Sequence, residues 1–380
     1  MRRASDAERA RLNDTFAALC QIESPSGRER ACADHVTEEL RALGLAVEED
    51  GADAVVESDA GNLLARLPGA RPQSILLCAH LDTVPPLAPI DPVIVDGGWE
   101  NAADGILGAD NKAAIAVLLE LARRFAARGE PPPIGIELLF TVSEENGLRG
   151  AQAFDASRLS SEFGYVFDHA SPIGGIVVAA PTYDQIVAVF HGRAAHAGIR
   201  PEEGRSAIVA AARAIAAMRL GRLDETTTAN VGTIAGGTAT NVVAERCRLE
   251  AEVRGLDDDR VAAVVTEMVD HLQDAANEAE CDLDVTVERQ FQGYRSKPAA
   301  PHIVAAARAL EACGYEPHHL VTGGGSDANA FQAAGLPCAN LADGTQRNHE
   351  PGERISIDAL EGMLEVAIAL LDTAGEVVSA

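Results

Sequence analysis

His80 and Asp82 close an apolar run, Ile75-Leu76-Leu77-Cys78-Ala79, and side chains two apart on an extended strand share a face. Asp82 is therefore placed to hold the His80 imidazole and to decide which ring nitrogen is left for a metal ion. One such pair is often no more than a hydrogen bond. Here the arrangement recurs. Residues 136–142 run into Ser143-Glu144-Glu145, residues 165–167 into Asp168, and residues 336–341 lead through a Gly-containing loop to Asn348-His349-Glu350. Between them, residues 106–109 deliver Asp110-Asn111 just ahead of a helix. In an open α/β sheet ligands gather outside the carboxyl ends of the strands, and all these groups stand at such ends. His80 and His349 with Asp110, Glu144, Glu145 and Asp168 are more than one ion commonly uses. Two divalent ions about 3.5–4 Å apart, sharing a bridging carboxylate and a bridging water, would use them all.

The elements that must position these residues follow from the periodicities. Up to about residue 180, helices over 6–23, 27–43 and 111–128 alternate with short apolar strands, the pattern of a wound α/β layer. The middle reads as strand 186–190, helix 205–218, strands 228–234 and 246–254, helix 258–277 and strand 282–288. That βαββαβ order is a ferredoxin-like unit. Two of its strands alternate: Cys247, Leu249, Ala251 and Val253 lie on one face, then Leu283, Val285 and Val287, so one face is covered by helices and the other is wet. After Pro298 the α/β pattern resumes. The expected division is a catalytic domain built from 1–180 and 293–380, with 181–292 inserted into it.

At 380 residues the chain is long enough for two domains. With 47% hydrophobic but only 4% aromatic residues, the core must be Ala, Val, Leu and Ile, as buried parallel strands and their helices usually are. A formal charge of −27 argues against nucleic acid and anionic membrane as partners. Gly323-Gly324-Gly325-Ser326-Asp327 lacks the Lys of a phosphate-binding loop and the spacing of a dinucleotide fingerprint. The seven cysteines, with no C-x-x-C, fit thiols in a reducing compartment. Asp6, Glu8, Arg9 and Arg11 stand where an export signal would need apolar residues, and no apolar run reaches membrane length, so a cytoplasmic protein is expected.

Six motifs stand in order along the chain: His80-Leu81-Asp82-Thr83, Leu107-Gly108-Ala109-Asp110-Asn111-Lys112, Glu144-Glu145-Asn146-Gly147, Ala195-His196-Ala197-Gly198, Gly236-Gly237-Thr238-Ala239-Thr240-Asn241 and Gly323-Gly324-Gly325-Ser326-Asp327-Ala328-Asn329. Over nearly its whole length the chain resembles the metal-dependent exopeptidases that include peptidase T, carboxypeptidase G-type enzymes, aminoacylase and succinyl-diaminopimelate desuccinylase, and it is nearest the peptidase T-like branch. The resemblance implies a zinc-exopeptidase-like α/β fold, a wound mixed sheet flanked by helices, with the inserted ferredoxin-like unit serving as lid and dimerisation domain. It implies two zinc-like ions bridged by Asp110, one held by His80 and Asp168, the other by Glu145 and His349. Cobalt or manganese suits the same carboxylate-rich donor set. It also implies that Glu144 is the base, taking a proton from the metal-bridging water as a hydroxide attacks the amide and passing it to the leaving amine. Asp82 joins it as orienting partner. His196 would be presented to the partner subunit's active site to stabilise the oxyanion, which makes a homodimer through 181–292 the expected assembly. Asn241, Arg254, Gly325 and Ser326 look like substrate-binding residues, Arg254 as a bidentate partner for a peptide carboxylate.

His169 is expected to point away from the site, and Glu350 to add a carboxylate beside the cluster, where peptidase T-like relatives have small or threonine residues. The expected activity is hydrolysis of short peptides by a tripeptide aminopeptidase-type enzyme. The other readings are an N-acyl amino acid amidohydrolase and a catalytically silent peptide-binding protein.

Overall fold

The computed structural model describes residues 3–378, with only the backbone of Ala127 and Arg128. The chain divides at Ala179/Ala180 and Tyr294/Arg295 into two units.

In the first unit four strands run parallel side by side: Gly135–Thr141, Ser74–His80, Ser161–His169 and Cys338–Ala342. Ser74–His80 and Gly135–Thr141 are buried at every position, as strands covered on both faces must be, and this explains the apolar run Ile75–Ala79 and the largely apolar second strand, whose one charge, Glu137, pairs with Arg66 at 3.0 Å. Leu63–Leu67 pairs antiparallel with Gly135–Thr141, and Gly175–Ala180 antiparallel with Cys338–Ala342, so the sheet is mixed. The helices Asp6–Cys20, Arg30–Ala42, Ala109–Arg128, Pro301–Cys313 and Ile357–Val378 add to this core, which includes Phe16, Phe140 and Phe167. Truncating one of these rings to alanine would cost about 3–5 kcal/mol. Because the four parallel strands share one direction, their carboxyl ends share one edge. His80, Asp168 and the turns after Thr141 and Ala342 all emerge there.

A second, four-stranded antiparallel sheet joins Thr345–Gln346, Arg354–Ser356, Gly98–Asn101 and Pro92–Val95. The last two form a hairpin turned by Asp96 and Gly97, whose φ of 46° and 73° are the left-handed pair a two-residue turn of this kind requires.

In the second unit all strand pairs are antiparallel, in the order Gly221–Arg222, Thr227–Gly236, Arg246–Gly255, Thr182–His191, Asp282–Phe291. The helices Ala207–Ala217 and Asp258–Glu278 pack on one face, where Ile186, Ala188, Phe190, Cys247, Leu249 and Val253 are fully buried. The βαββαβ order is that of a ferredoxin-like unit, with the two-residue strand added at one edge. Alternation is strict in Thr182–His191 and Arg246–Gly255 but fades in Asp282–Phe291, where Leu283 and Val285 are half-buried and Val287 is 45% exposed. That strand is the sheet's edge, and only its end, at Phe291, is buried again. Among the described residues no helix is long and apolar enough to cross a membrane, and all seven cysteines are free.

Candidate metal centre

His80 ends its strand with Nε2 3.1 Å from Asp110 Oδ1 and 3.7 Å from Asp168 Oδ1. Its Nδ1 lies 2.9 Å from the backbone oxygen of Asp82, a bond that in the neutral ring puts the proton on Nδ1 and leaves Nε2 as the ligand atom. Sequence reasoning gave that orienting task to the Asp82 carboxylate, which instead stands 3.4 Å away. The strand stops at His80, so Asp82 is not two residues along a regular strand. Its carboxylate accepts the N–H groups of Glu144 (3.0 Å) and Glu145 (3.1 Å) and the Ser26 hydroxyl (2.6 Å). Asp82 therefore fixes the turn that carries the glutamate pair.

That turn diverges two adjacent side chains. Ser143, at φ 52°, breaks the strand, and the buried Glu29 accepts both its N–H (3.1 Å) and its hydroxyl (3.2 Å). Glu145 Oε1 then lies 2.9 Å from His349 Nε2, while Glu144 is buried apart from that contact. His349, itself left-handed at φ 66°, is 3.3 Å from Asp110 Oδ2, which also accepts Asn348 Nδ2 at 2.9 Å. Asp110 is set by its own turn: the N–H groups of Leu107, Gly108 and Asp110 all donate to Glu353, at 2.8, 2.8 and 3.0 Å.

Three groups of donors result, each with its atoms within 4.8 Å of one another: His80, Asp110 and Asp168; Asp110, Glu145 and His349; and His80, Glu144 and Glu145. Asp110 belongs to the first two. Imidazole nitrogen with carboxylate oxygen is a donor set for zinc, manganese or cobalt. The buried Glu145 Oε1 also accepts no well-aligned hydrogen bond despite its close histidine, as expected of an atom placed for an ion.

The electrostatics of the cluster are those of too many carboxylates out of water. Burial, and then Asp168, pushes Glu144 well above the usual carboxylate range; burial, and then Asp110, does the same to Asp168. Burial opposes ionisation of Asp110 too, but His349 and His80 outweigh it and hold Asp110 well below that range. Asp110 and Glu145 lift His349 to about 10, against its own burial. Burial would lower His80, yet Asp110, Asp168 and Asp82 keep it well above its ordinary value. A cation taking the place of these two imidazolium charges would neutralise the same carboxylates.

His80, Asp82, Asp110, Glu144, Glu145, Asp168 and His349 thus come together. The remaining candidates of the first unit are in none of these three groups. Ser326 is 2% exposed, and its hydroxyl caps the helix Asp327–Ala333 reciprocally with Asn329, so it lines no open wall; Gly325, just before it, is half-buried. Glu350 faces solvent and pairs with Arg347 at 3.7 Å, not with the cluster. His169 turns to the Ser171 hydroxyl at 2.9 Å. In the second unit His196 and Asn241 are exposed neighbours: the N–H of Ala197 donates to the Asn241 carbonyl at 2.9 Å, and His196 pairs with Val242. Arg254 sits at the opposite end of Arg246–Gly255, eight residues or about 26 Å along the strand, paired with Glu252 at 3.1 Å and lying over the Tyr183 ring. Its guanidinium is thus already engaged. Sequence reasoning missed Glu29, Asn348 and Glu353.

Residues 76–373 match the family described as Peptidase family M20/M25/M40, and the chain belongs to that family. Among solved structures it is similar to the aminopeptidase PepT of Bacillus cereus ATCC 10987, with TM-score 0.85 and 38% identity over 96% of this chain and 98% of that one. A tripeptidase of Staphylococcus aureus subsp. aureus Mu50 superposes with TM-score 0.90 at 35% identity, covering 97% and 99% of the two chains. An uncharacterized protein of Bacillus subtilis (strain 168), YqjE, is 35% identical over 96% of this chain and 99% of its own length. The protein is a metal-dependent exopeptidase.

Proposed function

We propose that the chain is a dinuclear aminopeptidase of short peptides, tripeptides foremost, in which His80 and Asp168 hold one ion, Glu145 and His349 the other, and Asp110 both. The observation that carries this reading is the pair of ligand triplets sharing Asp110 beside a buried carboxylate, Glu144, that belongs to neither. The likeness to an aminopeptidase and a tripeptidase over nearly the full chain supports the substrate class. The ions, zinc with cobalt or manganese as alternatives, would polarise the scissile carbonyl and lower the pKa of a shared water. Glu144 would supply the proton transfer, taking a proton from the nucleophile and returning it to the leaving amine; its burial, and then Asp168, raises its affinity for a proton. Asp82, through the two N–H groups it accepts, keeps Glu144 and Glu145 aimed apart. With metal added, the purified protein is expected to release N-terminal residues from tripeptides. Hydrolysis of N-acyl amino acids alone would replace this reading by an amidohydrolase.

The second unit contributes His196, whose Nδ1 accepts the Gly198 N–H at 3.2 Å and so leaves an Nε2–H donor for an oxyanion in the neutral ring. We assign that donor to the partner subunit's site in a homodimer joined through the inserted unit, whose edge strand Asp282–Phe291 is open to pairing. Mixing inactive His196→Ala protein with inactive Glu144→Gln protein is expected to restore part of the activity, because a mixed dimer contains one site with both native residues. No rescue despite proven subunit exchange would place His196 in its own chain's site or outside catalysis.

A further inference from the structure

We propose that Glu353 is a positioning residue that sets the Asp110 carboxylate between the two ligand triplets before any ion arrives. The carboxylate is 1% exposed, so it meets neither solvent nor substrate. Its oxygens divide the work: Oε2 accepts from Leu107 and Gly108, Oε1 from Asp110 itself. The three N–H groups converge because Gly108 is left-handed at φ 76°, and Asp110 and Asn111 leave helical geometry before the helix proper begins. Converging backbone amides of this kind form a concave anion site. In most proteins a ligand anion fills one; here the chain's own glutamate does, from more than 240 residues away. Glu353 is delivered by the small antiparallel sheet, where Arg354 pairs with Glu100 and Ile355 with Trp99. The same sheet contains Thr345–Gln346, from which the chain runs on to His349. A fully paired acceptor fixes the backbone of Asp110, and a fixed backbone fixes where its two carboxylate oxygens stand relative to His80 and His349.

This inference rests on the dinuclear reading above, and its test separates the two. Glu353→Gln keeps the shape but must turn its amide nitrogen toward one of the three donors. The metal-free variant is expected to fold and to bind zinc about 10–100-fold more weakly, measured by competition with a chelator, the usual effect of removing a partner that orients a ligand. At saturating metal its KM should stay near the native value. Glu120→Gln is the control, since Glu120 is equally buried but pairs with Arg11 and Arg123 on the helical layer. It should lower thermal stability without changing zinc affinity. Unchanged zinc affinity in Glu353→Gln would overturn the proposal, and so would equal weakening in both variants. Native protein that binds fewer than two ions would instead sink the dinuclear reading. If Glu353→Gln does not fold, hydrogen exchange on native protein decides. The amides of Leu107, Gly108 and Asp110 are expected to be protected without metal, and free exchange there would overturn the proposal.

Discussion

Replacing Asp110 by alanine is expected to remove both ions and reduce hydrolysis to the uncatalysed background, the largest effect of any single substitution in this chain. The reason is geometric. Asp110 Oδ1 faces His80 and Oδ2 faces His349, and Asp110 is the residue shared by the His80-Asp110-Asp168 and Asp110-Glu145-His349 triplets. Of the two triplets proposed to hold the ions, losing any ligand but Asp110 leaves one intact; losing Asp110 leaves neither. The fold should survive, because His80 keeps Asp168 and the Asp82 carbonyl as partners and the turn backbone keeps Glu353. Elemental analysis of purified protein, with circular dichroism as a control, checks both halves. An active variant retaining two equivalents would show that Asp110 does not bridge.

The second large effect lies at Glu144. Glu144→Gln should keep its metal content and lose about 10²–10⁴ in turnover, the usual contribution of a general base. The alternative is real chemistry, since His80, Glu144 and Glu145 also stand close enough to share an ion. Metal content decides between them. Glu145→Gln is expected to weaken metal binding, because Glu145 belongs with His349 in the triplet that carries the orphaned Oε1. If the two variants exchanged these phenotypes, the roles of the adjacent glutamates would have to be exchanged as well.

The part of the site that was legible in the sequence is the part written at strand ends. Apolar runs that stop at a histidine or carboxylate announce both the parallel strands and the edge where those side chains gather, and His80, Glu145 and Asp168 stand there. The inserted unit expected at 181–292 was read from its alternation of period two, which contrasts with the wholly buried strands around it; the chain divides into compact units at 180 and 294. What anchors the ligands was not readable. Glu29 and Glu353 look in the sequence like charges on a surface turn, and only the folded chain reveals that each accepts backbone amides of a ligand-bearing turn. Two signals were available and unused. Asp96-Gly97 between apolar segments marks the hairpin of the small sheet, and Ser326 followed by Asn329 marks a helix cap, which would have withdrawn Ser326 from the substrate-binding residues.

The cluster has a front and a back. His349 stands on an irregular loop with 48% of its side chain open to solvent, whereas His80 shows 1%. The triplet around His80 is closed by Asp110 and Asp168, each with less than a tenth of its side chain accessible. On the proposed dinuclear reading, an ion at the front would have solvent beside one of its ligands, while one at the back would be enclosed. Exchange of the two would then be unequal, and partial removal of metal by a chelator would be expected to empty the His349 position before the His80 position.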